Sequence, residues 1–566
     1  TVIEAGAEGE VVESAGAISK SATSEVVLVK HLNHFNVHRL GDARLAARWQ
    51  NALQAIAERS PHGIPITVST DPRHGFIENA GASFAAGAFS QWPEHLGLAA
   101  LRDPEAVREF ADIARQEYVA VGIRAALHPT VDLATEPRWA RQSGTFGQDP
   151  ALVSLLAVAH LQGFQGDALG PTSVACTTKH FPGGGPQKDG EDAHFPYGRE
   201  QVYDGGCEDD HLAPFPPAIE AGTSAIMPYY GMPVGLTLGG IAIPEVGFGF
   251  SREVVTDLLR GQLGFDGVVL SDWELINDNH VGNQVLPARA WGVENLDPAG
   301  RMELLLAAGI DQFGGEECVE VLLDLLASGR VTEARIDESA RRLLAVKFRL
   351  GLFDNPFVDE EAAASIVGSA AFRRAGRRAQ SKSVTVLTNN HAVLPLTGQP
   401  LVYAEGLTDD AVARLGLRVG TPEEAELAVV RVAAPFEPRL DLFLEALFHQ
   451  GSLDFPPGFV ARMTRIADRC PLVLDVTLDR PAVLTPLVPI AAALTGSFGT
   501  SDAAYVDAIT GTVAAQGKLP FDLPRSMEQV RRHSPDVPGL GDPLFAFGHG
   551  LVLSGAGRSG PVRMPR

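Results

Sequence analysis

Gly264-Phe-Asp-Gly-Val-Val-Leu-Ser-Asp272-Trp273 joins a short apolar run to an acid and a large aromatic. A run of this length, opened by a glycine turn, predicts a buried strand whose C-terminal end carries the polar residues. The same pattern recurs upstream. Ile64-Pro-Ile-Thr-Val-Ser leads into Thr70-Asp71-Pro72-Arg73-His74, and Ser173-Val-Ala-Cys-Thr leads into Lys179-His180. Further strands are predicted at 25–29, 123–127, 224–227 and 309–313. Helical spacing fills the gaps, with Leu45, Trp49, Leu53 and Ile56 in one segment and Val107, Phe110, Ile113, Ala114 and Tyr118 in another. Serial βα units predict an α/β fold, a (β/α)8 TIM-like barrel over residues 1–351, with a doubly wound open sheet as the alternative. A barrel gathers its active site at the C-terminal ends of its strands, which is where Asp71, Lys179, His180 and Asp272 fall.

Beyond the barrel, residues 352–380 open with Asp, Asn and Pro and turn acidic, which predicts a linker across one face. Residues 381–560 carry strand-like runs at 383–387, 401–404, 427–432, 471–476 and 490–494 with helices between them. That predicts an αβα three-layer sandwich, followed by a tail at 561–566.

Composition narrows the function. The 566 residues carry a net charge of -23 and no clustered Lys or Arg, which argues against nucleic acid. No apolar run reaches 18 residues, so no membrane association is expected. No secretory leader is visible, so a cytoplasmic location is expected. The four cysteines, Cys176, Cys207, Cys318 and Cys470, are far apart and suggest neither zinc nor a disulfide framework.

A strand-terminal acid beside a tryptophan suits a glycosidase, which needs a carboxylate beneath the anomeric carbon and aromatic faces for sugar rings. By itself Asp272 could equally be a helix cap or a loop hydrogen-bonder. Lys179-His180-Phe-Pro-Gly-Gly-Gly adds donors for sugar hydroxyls, and the glycines allow close backbone approach. No Gly-Lys-Ser/Thr follows them, so a phosphate loop is disfavoured. Glu316-Glu317 is read as helix-capping before substrate-lining. The stretch from Phe448 to Pro457 could be a sandwich-domain loop reaching over the cleft, or a plain surface loop.

Six blocks together resemble glycoside hydrolase family 3: Glu136-Pro-Arg-Trp-Ala-Arg141, Lys179-His-Phe-Pro-Gly, Ala221-Gly-Thr-Ser-Ala-Ile-Met-Pro-Tyr229, the Gly264 to Trp273 stretch, Gly517-Lys-Leu-Pro-Phe and Phe547-Gly-His-Gly-Leu. The resemblance is nearest to its β-glucosidase and exo-glucanase side and implies an active site in a cleft between barrel and sandwich. It makes Asp272 the nucleophile and Asp71, Arg141, Lys179 and His180 ligands of the terminal sugar. Tyr229 becomes a tyrosine near the nucleophile and Trp273 a wall of the outer sugar site. The acid/base expected from it is Glu437, in Ala434-Pro-Phe-Glu-Pro-Arg439, where Arg439 could pair with Glu437 and lower its pKa.

Asp192-Ala-His194 competes for that role, since one branch of the family uses such a pair, although here it stands two residues late; otherwise His194 lines or braces the site. The activity implied is retaining, exo-acting release of glucose from β-glucosides or short β-glucans, with no cofactor or metal. A homodimer is possible. The rival readings are a β-N-acetylhexosaminidase or phosphorylase working through Asp192 and His194, and a non-catalytic sugar-binding protein.

Overall fold

The computed structural model describes residues 1–15, 20–281, 284–398, 400–414 and 418–553; the tail expected at 561–566 lies outside them. Eight parallel strands form one curled sheet in chain order: β1 (Val2–Ile3), β2 (His34–Val37), β3 (Thr67–Thr70), β4 (Ile123–Ala126), β5 (Ala175–Phe181), β6 (Ala225–Pro228), β7 (Val268–Trp273) and β8 (Gln312–Gly314). Among the described residues no ladder closes β8 onto β1. The edges meet through side chains, with Thr1 Oγ1 donating to Glu317 Oε1 at 2.6 Å. Residues from every strand but β1 line one interior cavity of about 70 Å3, together with Thr1, as expected for a sheet rolled around its own core.

Helices between these strands include α1 (Ala43–Ala57), α2 (Pro104–Ala120), α3 (Pro150–Gln165), α4 (Phe215–Glu220), α5 (Glu253–Gln262, π-wound) and α6 (Pro298–Ala308), with a short helix at His95–Leu101 ahead of α2; α7 (Glu333–Arg349) comes after β8. Local chemistry explains where several begin. Asp103-Pro104, Asp149-Pro150 and Asp297-Pro298 each place an acceptor at the N-cap and a proline at the first helical position. The aspartate takes an orphan N–H, and the proline's fixed φ suits a position that has no N–H to lose.

The strand expected at 25–29 is a π-helical segment, Glu25–Val29, which buries Val26 and Val27 while Val29 is exposed. The first strands of the sheet are instead β1 and β2, both short and β2 interrupted by polar residues. A five-residue apolar run does not distinguish strand from helix.

The segment read as a linker carries two helices, α8 (Glu360–Ile366) and α9 (Ala370–Ser383). α8 lies against α1 through Arg44–Glu361 and Arg48–Glu360 ion pairs. A second sheet follows, built from β9 (Thr385–Asn389), β10 (Leu401–Glu405), β11 (Arg418–Val419), β12 (Leu427–Ala433), β13 (Leu472–Thr477) and β14 (Ala493–Ser497) in the order β9-β14-β13-β12-β10-β11. Only β9 is antiparallel to its neighbour. Alternate residues of the central strands feed two cores, Val430, Leu472 and Leu474 on one face and Val429, Val473 and Ala493 on the other, so the sheet is the middle layer of a sandwich. Helices α10 (Pro457–Ala467) and α11 (Asp502–Ile509) complete it. The sandwich docks on barrel loops: Arg480 donates to Arg138 O, Glu94 N to Phe498 O and Asp522 N to Gln148 Oε1. No helix among the described residues is long and apolar enough to cross a membrane.

Candidate active site

Strand ends converge on a cavity of about 110 Å3 lined by Asp71, Arg141, Lys179, His180, Tyr230, Asp272 and Trp273, with His194 at its side. Asp272 stands one residue before the end of β7 and is 6% exposed. Its Oδ1 accepts from Trp273 N at 2.8 Å, while Oδ2 takes no hydrogen bond from any described residue. The nearest cationic or imidazole nitrogen to Oδ2 is His180 Nε2 at 3.9 Å.

The floor is a chain of paired charges. Lys179 Nζ donates to Asp71 Oδ1 at 2.9 Å, and Asn36 Nδ2, from β2, donates to Asp71 Oδ2 at 3.3 Å. His180 is gripped from behind by Asp132, whose Oδ2 lies 2.6 Å from Nδ1 and whose Oδ1 accepts from the backbone N–H of His180 and Gly184. Burial holds His180 well below the usual imidazole pKa, and the Arg141 charge adds to that. A neutral ring with Nδ1–H on Asp132 leaves Nε2 as an acceptor for Arg141 Nη2, 3.3 Å away. Burial also pushes Asp132 up to about 6 despite its two backbone donors. Burial opposes the charge of Arg141, but Tyr229, Asp192, Asp272 and Asp132 outweigh it and hold the guanidinium firmly protonated. Arg141 Nη1 has no partner among the described residues.

Tyr229, expected beside the nucleophile, lies one position off. Its ring packs on His180 at 4.8 Å and its hydroxyl is buried without a partner among the described residues. Tyr230 lines the cavity instead, and its hydroxyl accepts from Trp273 N at 3.0 Å, the same N–H that meets Asp272. Neighbouring residues leaving a strand point to opposite sides, so a shift of one exchanges wall for core. Trp273 is half-buried against Leu127, Met227 and Leu270.

His194 and Asp192 form a fixed dyad. Asp192 Oδ1 lies 2.6 Å from His194 Nδ1 and also accepts from the His194 backbone N–H, while its Oδ2 accepts from Trp139 Nε1. Burial keeps His194 below the usual imidazole pKa, with Asp192 opposing it. Its Nε2 has no hydrogen-bond partner among the described residues, and the ring contacts Tyr230 and Phe448 at 4.9 and 5.0 Å between centroids.

Glu437 does not reach this cavity. It is exposed, and its Oε2 accepts from Ser452 N at 3.1 Å. It is not paired with Arg439 either, because Arg439 grips Glu191 of the barrel with two hydrogen bonds of 2.6 and 2.7 Å. What the sandwich contributes to the cavity wall is apolar, Phe443 and Leu444, facing Leu286 and Trp273 of the barrel. The loop expected near Phe448 does reach the site, since Phe448 packs on His194 and Phe195.

Asn36, Asp132, Tyr230, the Glu274–Arg289 pair (2.7 Å) and Phe443–Leu444 were not anticipated from sequence. Of these, Tyr230 sits two residues past the end of β6, close to the position that had flagged Asp71, whereas Asp132 stands six residues past β4. Glu316 does not cap a helix as expected: it accepts from the backbone N–H groups of Ile276 and Asn277 in a loop and holds the Asn277 amide, while Glu317 pairs with Lys30.

Comparison with known proteins agrees with this geometry. Residues 12–346 match the family described as glycosyl hydrolase family 3 N terminal domain. The chain is 52% identical to β-glucosidase C of Emericella nidulans over 94% of its length and 86% of that protein's. It is 41% identical to a periplasmic β-glucosidase/β-xylosidase of Dickeya chrysanthemi, over 94% of this chain and 84% of that one. Among solved structures, a β-glucosidase from Erythrobacter marinus superposes with a TM-score of 0.78 at 22% identity, covering 92% of this chain and 76% of that one. The exo-1,3/1,4-β-glucanase of a Pseudoalteromonas species gives 0.77 at 21% identity, covering 96% and 72%; these two likenesses speak for the fold. The glucosidase names of the sequence relatives do not favour the hexosaminidase, phosphorylase and sugar-binding readings. A βα barrel with an acid at the end of its seventh strand, a docked sandwich and matches of this extent lead to one conclusion: the chain belongs to glycosyl hydrolase family 3.

Proposed function

We propose that this protein is an exo-acting β-glucosidase that releases glucose from the non-reducing ends of β-glucosides or short β-glucans with retention. The observation that carries the reading is Asp272, whose Oδ2 is free of hydrogen bonds inside a cavity floored by Asp71, Arg141, Lys179 and His180. Ionic and imidazole groups of this kind hold sugar hydroxyls and reject analogues lacking them, because the site would be left with unpaired charges. A walled cavity, rather than an open groove, admits a chain end and not a chain middle. The β-glucosidase name of the 52% identical relative supports glucose as the sugar.

In the first step Asp272 attacks the anomeric carbon while an acid protonates the leaving oxygen, giving a covalent glycosyl-enzyme. In the second step the same group, now a base, takes a proton from water. We assign this proton transfer to His194 in place of Glu437. The His194 imidazole borders the cavity with Nε2 unbonded, and Asp192 fixes its tautomer and would stabilise the imidazolium. With His194 held below its usual pKa, protonation for the first step improves as pH falls. Turnover of glucosides with poor leaving groups should therefore peak below about pH 6.5, the ordinary imidazole value.

The test is a set of three variants on aryl β-glucosides of graded leaving-group ability. Asp272→Asn should lose on the order of 10³-fold or more in kcat, as expected for removal of a covalent nucleophile. His194→Ala should slow poor leaving groups far more than activated ones, with azide restoring the second step, and Glu437→Ala should do neither. Full activity in Asp272→Asn overturns Asp272 as the nucleophile, an unaltered chain that cleaves no β-glucoside overturns the hydrolase reading, and leaving-group dependence in Glu437→Ala alone returns the proton to Glu437.

A further inference from the structure

We infer that Arg439 and Glu191 are positioning residues, whose ion pair docks the sandwich loop 436–450 onto the barrel segment carrying Asp192 and His194 and thereby sets the leaving-group side of the cavity. The inference rests on the glucosidase reading above and extends it to residues outside the cavity.

Three separate anchors hold this loop. At its base Arg480, fully buried, donates to five backbone carbonyls: Pro435, Gln450, Gly451 and Ser452 of the loop's two ends and Arg138 of the barrel. In its middle the Arg439 guanidinium meets both oxygens of Glu191 and lies over the Tyr197 ring, 4.9 Å from its centroid. Tyr197 in turn donates to Glu445 Oε1 at 2.8 Å, while Glu445 Oε2 caps the N–H groups of Asp441 and Leu442. At its far end Phe448 packs on His194, and Asn79 donates to Leu447 O.

The contacts on the two sides lie close together in sequence. Glu191 immediately precedes Asp192, and Arg439 stands four residues before Phe443. A shift of the pair therefore moves the His194 imidazole and the Phe443–Leu444 wall together, and leaves Asp71, Lys179 and Asp272 on their own strands. The pair is partly exposed, with side-chain exposures of 34% and 24%, so its direct share of stability is small. Arg480 keeps the loop's base in place without it. Positioning is thus separable from folding here.

The experiment uses Arg439→Gln, Glu191→Gln and the exchanged pair Glu191→Arg/Arg439→Glu in the full chain. It reads kcat and KM for an aryl β-glucoside, inhibition by free glucose, and the melting temperature. Each single variant should lose about tenfold in kcat/KM, the scale of a small misplacement of reacting groups. Glucose inhibition, which reports only the floor, should stay within about twofold, and the exchanged pair should recover most of the loss. Unchanged kinetics in both single variants overturn the inference. So does a parallel fall of glucose affinity and melting temperature, which is what a merely structural role would give. An unaltered chain inactive on every β-glucoside overturns the glucosidase reading and this inference with it, whereas defects confined to the variants' leaving-group side leave that reading standing.

Discussion

Asp132 is not among the residues lining the cavity, yet three donors converge on its carboxylate and fix His180 as an acceptor toward Arg141. Asp132→Asn would set an amide N–H against Nδ1 and favour the opposite tautomer, turning Nε2 into a donor facing a guanidinium. The expected loss is about 10- to 100-fold in kcat/KM, equivalent to about 1.4 to 2.8 kcal/mol, with the fold retained by circular dichroism. Tyr230→Phe removes the hydroxyl that shares the Trp273 N–H with Asp272, and a drop of roughly tenfold in kcat is expected with KM little changed. At this scale the sequence was legible where chemistry coincided with a strand end, as at Asp71, Lys179, His180 and Asp272. It failed between Tyr229 and Tyr230, because adjacent tyrosines differ only in which way the chain turns them. It failed also at Glu437, because the partner of Arg439 lies across the domain interface and no local spacing announces it.

Helices α2 and α3 and the short helix His95–Leu101 enclose a set of buried histidines. His128 Nδ1 and His160 Nε2 are 2.8 Å apart, and His95 packs edge-on to Phe110 and Phe146. Burial lowers all three, His95 to about 4, so they are neutral in the folded state. The unfolded chain binds protons there below about pH 6.5 and the folded chain does not, so stability falls as pH drops from 6.5 toward 4. For His95 alone the loss is about 2 kcal/mol at pH 5, taking ~1.4 kcal/mol per pH unit. His95 Nε2 has no partner among the described residues, and a cavity of about 20 Å3 lies beside the ring. His95→Phe should therefore be tolerated at pH 7.5 and should melt above the parent at pH 5; parallel shifts at both pH values would count against this account. Legibility differed by element type too. Long amphipathic helices with Asp-Pro starts were readable, because spacing and cap agree. Glu25–Val29 was not, because five valine-rich residues carry no period, and their helical winding comes from the packing of Val26 and Val27.

For the whole molecule, the barrel and sandwich were both visible in the alternation of runs, but the manner of their joining was not. The segment 352–380, read as a linker, forms α8 and most of α9, and the domain contact is made by buried polar groups that composition cannot flag. Arg480 is the clearest of these. Burial lowers its pKa to about 10, and its guanidinium is the common donor for carbonyls of both domains. Arg480→Met would orphan those carbonyls and should cost about 3 kcal/mol in urea denaturation, with activity lost alongside stability. That joint loss contrasts with the selective effect expected at Arg439.

The cavity wall from the sandwich also has a consequence in time. Phe443 and Leu444 are synthesised well after Asp272, by roughly ten to thirty seconds at ordinary ribosome speeds. A nascent barrel can thus hold Asp272 and its charged floor while the cavity still lacks the Phe443–Leu444 wall and one side stands open to water. On the reading proposed above, the leaving-group side of the site is complete only once the later domain has docked.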